Sequence, residues 1–173
     1  MSHATESIQR NATAQMRIAT PLGNVLLVRT PQGLAGAWFE GQKHHPATID
    51  APFVDDDPLL VRAAAQLHAY FDAKSAPFSV PFDVPLDLQG SAFQRSVWAA
   101  LLAIDSGATR SYGDIARAIG APQAVRAVGS AVGRNPVSVI VPCHRVVGSG
   151  GALTGYAGGL DRKRALLALE ARA

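Results

Sequence analysis

The stretch NPVSVIVPCHRV, residues 135–146, contains the one cysteine of this 173-residue chain, Cys143, directly followed by His144. The apolar run 137–141 predicts a short buried strand that leads into the cysteine. A thiol attacks as its thiolate, and a nearby imidazole lowers its pKa, so the two residues are a candidate nucleophile and base. His144 need not touch the sulfur, since one water can relay the proton. The alternative is an inert cysteine that fills the core.

Upstream of this stretch, residues 91–133 predict a helical region. Ser91 and Gln94 form a capping-box pattern at the start of a first helix. Two shorter helices are predicted at 112–119 and 123–132, separated by a Gly-Ala-Pro turn. Together they form a helix-turn-helix pattern, which many helical domains contain.

The predicted helix 123–132 has unusually small side chains, including Ala127 and Gly129, among which Arg126 stands out. Glycine inside a helix costs about 1 kcal/mol relative to alanine, so its presence indicates a packing reason. Either a neighbouring helix approaches closely, or the helix enters a nucleic-acid groove while Arg126 reaches in.

The first half has a different pattern. Residues 17–39 are short apolar runs separated by Gly, Asn and Pro, which predict antiparallel strands in hairpins. A helix is predicted at 59–71, where apolar residues recur at helical spacing. The acidic residues 55–57 either cap this helix, with Pro58 in its first turn, or bind a metal, and capping is favoured. The prolines within 77–88 predict an extended linker.

Composition and charge limit the classes of protein to which this chain can belong. Residues 1–90 carry 6 basic and 9 acidic side chains, and residues 91–173 carry 10 basic and 4 acidic ones. This asymmetry fits either a polyanion-binding surface in the second half or ordinary solvated charge. His44 and His45 lack partners at metal-ligand spacing, and one cysteine excludes an internal disulfide. The polar first residues and the lack of a long apolar run predict a soluble, cytoplasmic protein without a signal peptide or membrane span.

The sequence around Cys143 resembles the active-site signature of the O6-alkylguanine-DNA alkyltransferases of the bacterial type, also called methylated-DNA–protein-cysteine methyltransferases. The similarity continues through most of residues 91–170 in the family's order and spacing. Its further elements are Phe93-Gln94, Val97-Trp98, Ser111-Tyr112, Arg126-Ala127-Val128-Gly129, Asn135-Pro136, Gly155-Tyr156-Ala157-Gly158-Gly159-Leu160 and Glu170. A match of this breadth is not expected by chance.

The resemblance implies a covalent reaction centred on Cys143 as nucleophile and alkyl acceptor. His144 would take the thiol proton through a bridging water, and Glu170 would orient the imidazole and stabilise its charge. Tyr112 would donate a hydrogen bond to the leaving guanine, and Asn135 would brace the active-site turn.

The resemblance also implies that duplex DNA is bound with the damaged nucleotide rotated out of the stack. Arg126 would fill the vacated space, from a helix that the family places in the minor groove. The implied DNA-binding residues are Arg126, Ala127, Gly129 and Tyr112. The implied pocket residues are Val146, Tyr156, Ala157 and Gly158. Arg145 stays open between a phosphate ligand and a structural partner of a buried carboxylate.

The implied fold is α/β (α+β), in two domains. Residues 1–88 would form a small antiparallel sheet with a helix, a ribonuclease H-like scaffold that ends in the linker. Residues 89–173 would form the helical domain, with its helix-turn-helix, that binds DNA and accepts the alkyl group. The implied activity is a stoichiometric, irreversible transfer from O6-alkylguanine by a monomer without cofactor or metal. Activity on O4-alkylthymine and cooperative binding to DNA stay open.

Two other function classes are compatible with parts of the sequence. A non-enzymatic sensor would bind the same lesion, but such proteins lack the acceptor that Cys143 supplies. A cysteine hydrolase would use Cys143 and His144 on an ester or amide, would turn over repeatedly and would not need DNA.

Overall fold

The first half folds around a three-stranded antiparallel sheet. In the computed structural model, which describes residues 3–72 and 82–171, the strands are β1 (Ala14–Ile18), β2 (Val25–Thr30) and β3 (Gly33–Phe39), in the order β1-β2-β3. Val25 pairs with Ile18 on one side and with Phe39 on the other. The predicted hairpins are confirmed, although β1 begins at Ala14, earlier than the predicted residue 17.

A helix covers each face of this sheet. Helix α1 (His3–Asn11), which the sequence did not predict, places Ile8 against alternate residues of β2 and β3, among them Leu26 and Trp38. Helix α2 (Pro58–Asp72), which the sequence predicted at 59–71, packs on the opposite face. Both faces of β2 are therefore buried, and the strand is a continuous apolar run rather than an alternating one.

Asp57 caps α2, which confirms the capping interpretation of the acidic residues. Its Oδ1 accepts hydrogen bonds from the backbone amides of Leu59 and Leu60, both at 3.0 Å, and Pro58 occupies the first turn. Asp57 Oδ2 also pairs with Arg29 of β2 at 3.0 Å. The cap thus links the start of α2 to the sheet.

The second half is mostly helical. Its helices are α3 (Ala92–Leu102), α4 (Tyr112–Ala118), α5 (Val125–Gly133) and α6 (Leu160–Glu170). The predicted capping box of Ser91 and Gln94 is present, and Ser111 forms a second one with Asp114 at the start of α4. A short strand pair, β4 (Arg110–Ser111) with β5 (Val146–Val147), is parallel. Single 3-10 turns are formed by Cys143–Arg145 and Ser149–Gly151.

Two local predictions in this half need correction. Helix α5 begins at Val125 rather than at residue 123, because residues 122 and 123 still belong to the turn after α4. The run 137–141 is not a strand: Val137 makes an isolated bridge to Ala37, and the chain then turns through Val139, whose φ is 72°. Local hydrogen bonds, such as Val141 N to Val137 O at 3.0 Å, replace a ladder. The run 137–141 is apolar because its side chains are buried on all sides, not because it forms a strand.

The two halves pack around one hydrophobic cluster. It includes Leu27 and Leu60 from the first half and Trp98, Val128 and Cys143 from the second. The Ala37 amide donates to Pro136 O at 2.9 Å, and the Ser138 amide donates to Ala37 O at 2.8 Å. The strand β3 therefore holds the segment that leads into the cysteine.

Part of the predicted linker can be described. Residues 77–81 lie outside the described residues, whereas Leu86 bridges to Leu34 beside β3. A domain boundary at residue 88 stays a prediction. Within the described ranges, no helix is both long and apolar enough to cross a membrane.

Candidate active site

Cys143 opens the 3-10 turn after Pro142 and lines a cavity of about 230 Å³. Its side chain is nearly buried, and the residue is 3% exposed. Burial raises the pKa of the Cys143 thiol to about 11, although the Asn135 amide and the charge of Lys163 act to lower it. In the free protein the sulfur is thus a neutral thiol at neutral pH, and reaction requires a group that takes its proton.

Asn135 holds the turn that carries the cysteine. Its Nδ2 lies 3.1 Å from Sγ of Cys143 and donates to Val141 O at 2.8 Å. Its Oδ1 accepts from the Val137 amide at 2.9 Å. One buried carboxamide therefore closes the turn and directs an N–H donor at the sulfur, where it favours a thiolate. The predicted bracing position of Asn135 agrees with this geometry.

His144 is fully buried, with 0% exposure, and its Nε2 lies 2.7 Å from Oε1 of Glu170. A carboxylate can only accept, so the proton of the neutral ring is on Nε2 and the lone pair is on Nδ1. Burial lowers the pKa of His144, against the opposing effect of Glu170, and keeps the imidazole neutral. Nδ1 has no hydrogen-bond partner among the described residues. The ring can therefore accept a proton at Nδ1.

Glu170 connects several elements at this site. Besides His144 it accepts from the Tyr70 hydroxyl at 2.7 Å and from the Gly107 amide at 3.3 Å. Arg145 adds a bidentate pair, with Nε and Nη2 each 2.9 Å from a carboxylate oxygen. Burial acts to raise the pKa of Glu170, but the hydrogen bonds from His144 and Arg145 outweigh it and hold the pKa well below its usual range. Glu170 is thus an anion at the C-terminal end of α6.

The ion pair with Glu170 gives Arg145 a structural role. Its guanidinium binds Glu170, and Nη1 also donates to the carbonyl of Ile104. Of the two alternatives left open by the sequence, the structure favours the buried carboxylate over phosphate.

Lys163 is a site residue that sequence reasoning missed. It is 0% exposed, and its Nζ donates to the carbonyls of Val146 at 2.5 Å, Thr154 at 2.8 Å and Gly155 at 3.3 Å. Burial lowers the pKa of Lys163, and the nearby Cys143 acts in the opposite direction. Lys163 lies three residues before the buried Leu166 on α6. This helical spacing puts both residues on the same buried face, and it was the signal in the sequence that could have identified Lys163. Lys163 thereby links β5 to the loop that contains Thr154 and Gly155 and borders the cavity.

The walls of the cavity come from several elements. The residues that line it are Lys43, His44, Tyr112, Gly129, Ser130, Val132, Gly133, Arg134, Cys143, Gly155, Tyr156 and Ala157. Tyr112, the first residue of α4, donates from its hydroxyl to Thr154 O at 3.2 Å. Burial raises the pKa of Tyr112, so its hydroxyl remains a donor.

Two predicted pocket residues are not part of this lining. Val146 is buried in β5, and its carbonyl accepts from Lys163. Gly158 supports the ring of Tyr156, since a Cβ at this position would lie 2.6 Å from Tyr156 Cε1. Tyr156 and Ala157 line the cavity, and their contact with a substrate base stays a prediction.

One face of helix α5 presents small side chains to the outside, although Ala131 is buried. Arg126 and Ala127 are exposed, whereas Val128 on the opposite face is buried. A Cβ added to Gly129 would meet the Tyr112 ring at 3.8 Å, which is ordinary contact. Close approach of another helix therefore does not explain the glycine, and the face with Arg126 is accessible to a partner.

Family models match both halves of the chain. The model described as "6-O-methylguanine DNA methyltransferase, DNA binding domain" matches residues 92–172. The model described as "6-O-methylguanine DNA methyltransferase, ribonuclease-like domain" matches residues 16–84.

Whole-chain comparisons agree with these models. The methylated-DNA–protein-cysteine methyltransferase of Mycolicibacterium paratuberculosis is 46% identical over 155 residues, covering 90% of this chain and 90% of that protein. Its Mycobacterium bovis counterpart is 48% identical over 153 residues, covering 88% of this chain and 89% of that protein. The crystal structure of Mycobacterium tuberculosis OGT in complex with DNA has a TM-score of 0.82 at 45% identity, over 92% of this chain and 94% of that chain.

These matches confirm the predicted fold class, a mixed α/β protein with a small antiparallel sheet and a helical second half. Identity above 45% over nine-tenths of both chains is far more than a shared fold requires. The chain belongs to the 6-O-methylguanine DNA methyltransferase family.

Proposed function

We propose that this protein repairs double-stranded DNA by moving the alkyl group of an O6-alkylguanine onto Sγ of Cys143. The observation that carries the proposal is the placement of Cys143 on a cavity, next in sequence to a neutral histidine bound by Glu170. Relatives named methylated-DNA–protein-cysteine methyltransferase, and a related structure that contains DNA, support it. The chain is a single-turnover transferase, because a thioether has no easy route back to the thiol.

The proton of the thiol leaves through His144. A water between Sγ and Nδ1 passes the proton to the ring, whose lone pair has no other partner among the described residues. Glu170 stabilises the imidazolium that forms, at 2.7 Å from Nε2. The Nδ2 of Asn135, 3.1 Å from the sulfur, stabilises the thiolate as it develops.

The thiolate then displaces guanine from the saturated carbon. A sulfur–carbon bond forms, the bond between that carbon and O6 breaks, and the electron pair leaves with the purine. The hydroxyl of Tyr112, on the cavity wall, releases Thr154 O and donates to the purine as the purine gains charge. The backbone of Cys143 and Ala157 meets the edge of the base, and Tyr156 lies against it.

Helix α5 binds the duplex and helps to move the damaged nucleotide out of the base stack. The guanine must leave the stack to reach the cavity, at a cost of a few kcal/mol. Arg126 fills the space that it vacates, and Ala127 and Gly129 let the helix approach the backbone in the minor groove.

We infer that the protein is a monomer that acts in the cytoplasm.

The stoichiometry of transfer tests this proposal. The wild type and Cys143→Ala are incubated with excess duplex that contains O6-methylguanine, and the peptides are then weighed by mass spectrometry. We expect one methyl group per chain, on the peptide with Cys143, and none on the variant, which still binds the duplex. No methyl on the wild type would favour a damage sensor, and repeated turnover on an ester would favour a hydrolase.

A further inference from the structure

A loop of the first half borders the same cavity as Cys143. Lys43 and His44 line it together with Arg134, the residue that follows α5. We call these three residues the cationic rim. The described residues that line the cavity include no aspartate or glutamate. Basic groups from both halves of the chain thus surround the cavity without an acidic partner in its wall.

The loop is held in place by specific contacts. Gln42 is buried, and its Oε1 accepts from the Phe39 amide at 2.8 Å and from the Ser138 hydroxyl at 3.2 Å. The Lys43 amide donates to Ala157 O at 2.9 Å, which joins the loop to the predicted pocket wall. His44 has a φ of 63°, a left-handed conformation that is uncommon for a residue other than glycine. Strained residues of this kind persist where the surroundings fix them, often at ligand sites.

The electrostatics of the rim indicate an anionic ligand. Burial, Arg134 and Lys43, in that order, lower the pKa of His44, so the rim resists a further positive charge. An alkylated guanine base is uncharged and does not match these groups. The extruded nucleotide, however, carries a phosphate on each side of its sugar, and phosphate oxygens accept hydrogen bonds from all three side chain types.

We propose that Lys43, His44 and Arg134 bind a backbone phosphate beside the extruded nucleotide and hold it over the cavity. The inference rests on the proposed function and extends it, because it assigns a part in substrate binding to the first half of the chain. Arg126 acts from helix α5 on the duplex, whereas the cationic rim acts beside the extruded nucleotide.

The test compares DNA with a substrate that has no phosphate. The variants are Lys43→Gln/His44→Asn, in which asparagine tolerates the left-handed conformation, and Arg134→Gln. Arg62→Gln is the matched control, an exposed cation on α2 outside the cavity lining. Transfer rates are measured with duplex that contains O6-methylguanine and with the free O6-methylguanine base, and duplex affinity is measured between 50 and 200 mM salt.

We expect the ratio of the duplex rate to the free-base rate to fall about tenfold in both rim variants and to stay at the wild-type value in Arg62→Gln. The slope of log affinity against log salt should become shallower by about one, the value for one lost phosphate contact. Equal ratios and slopes in the rim variants and the control would overturn the inference. Failure of the proposed function gives a different result, namely no methyl on Cys143 of the wild type with either substrate.

Discussion

Nδ2 of Asn135 lies 3.1 Å from Sγ of Cys143 and is fixed there by a second hydrogen bond, to Val141 O at 2.8 Å. The two residues are eight positions apart, and the turn between them is closed by the same carboxamide. The donor is therefore in place before any substrate arrives. Such preorganisation avoids the cost of orienting a dipole during the reaction.

Asn135→Ala should lose both stability and rate. The substitution leaves the buried Val141 carbonyl and the Val137 amide without this partner, which costs about 2–3 kcal/mol in the free energy of unfolding. It also removes the N–H directed at the sulfur, so transfer slows. Urea denaturation and single-turnover transfer measure the two effects. Asn135→Asp is the control, since it restores the acceptor for Val137 but places a negative charge beside Cys143, and its transfer should not recover.

The raised pKa of Cys143 predicts how the free protein reacts with a small electrophile. Burial raises this pKa to about 11, so the thiolate fraction rises about tenfold per pH unit between pH 7 and 10. The rate of labelling by iodoacetamide should follow it. Cys143→Ala should remain unlabelled, because the chain has no other cysteine. A rate that levels off near pH 7 would contradict a high pKa in the free protein.

Glu170→Gln should alter how stability depends on pH. The folded-state pKa of Glu170 lies below its usual range, so its stabilisation is present above the unfolded value of about 4.3 and is lost as pH falls through the folded value. At pH 7 the variant should unfold more easily by about 3 kcal/mol, since Arg145 keeps its charge and loses its anion. Urea denaturation from pH 3 to 7 should show this difference shrinking in acid. A constant difference would exclude Glu170 as the titrating group.

The sequence indicated the candidate site residues more directly than the contacts between them. Cys143 and His144 are neighbours in a motif, whereas Glu170 is 26 positions from His144 and was identified from the family resemblance alone. No local pattern shows that α6 returns to the cysteine. The pairing of Arg145 with this carboxylate stayed open for the same reason.

The errors and omissions have physical causes. The run 137–141 has the composition of a strand because it is buried, but a turn closed by Asn135 buries the same side chains. Lys163 was not predicted as a buried site residue, because lysine is almost never fully buried unless it is paired. His44 was considered and rejected as a metal ligand, and its place on the cavity depends on contacts between the two halves.

Arg126→Ala should affect transfer from duplex without affecting the fold. The side chain is exposed, so the free energy of unfolding should change by less than about 0.5 kcal/mol. Transfer from a duplex should slow at least tenfold, because the vacated space in the stack is no longer filled. Transfer from a single strand, which has no such space, should slow much less, and Arg62→Ala should resemble the wild type with both. An equal loss on both substrates would contradict a role in extrusion.

Lys163→Met should loosen the loop that borders the cavity. Methionine keeps an unbranched apolar chain but removes the donor to Val146, Thr154 and Gly155, so buried carbonyls lose a partner at a cost of about 2–4 kcal/mol. It also removes a charge that lowers the pKa of Cys143, and iodoacetamide labelling at a given pH should slow.

Hydrogen exchange separates this role of Lys163 from a general loss of stability. Arg164→Met is the matched control, because it removes the adjacent positive charge from an exposed position of α6. Amides of residues 154–159 should exchange faster in Lys163→Met than in Arg164→Met, with the sheet amides β1 to β3 less affected. If the sheet and the loop lose protection equally, Lys163 supports the fold as a whole and does not position the cavity wall. A slower labelling rate in a loop of unchanged protection would instead assign the effect of Lys163 to its charge.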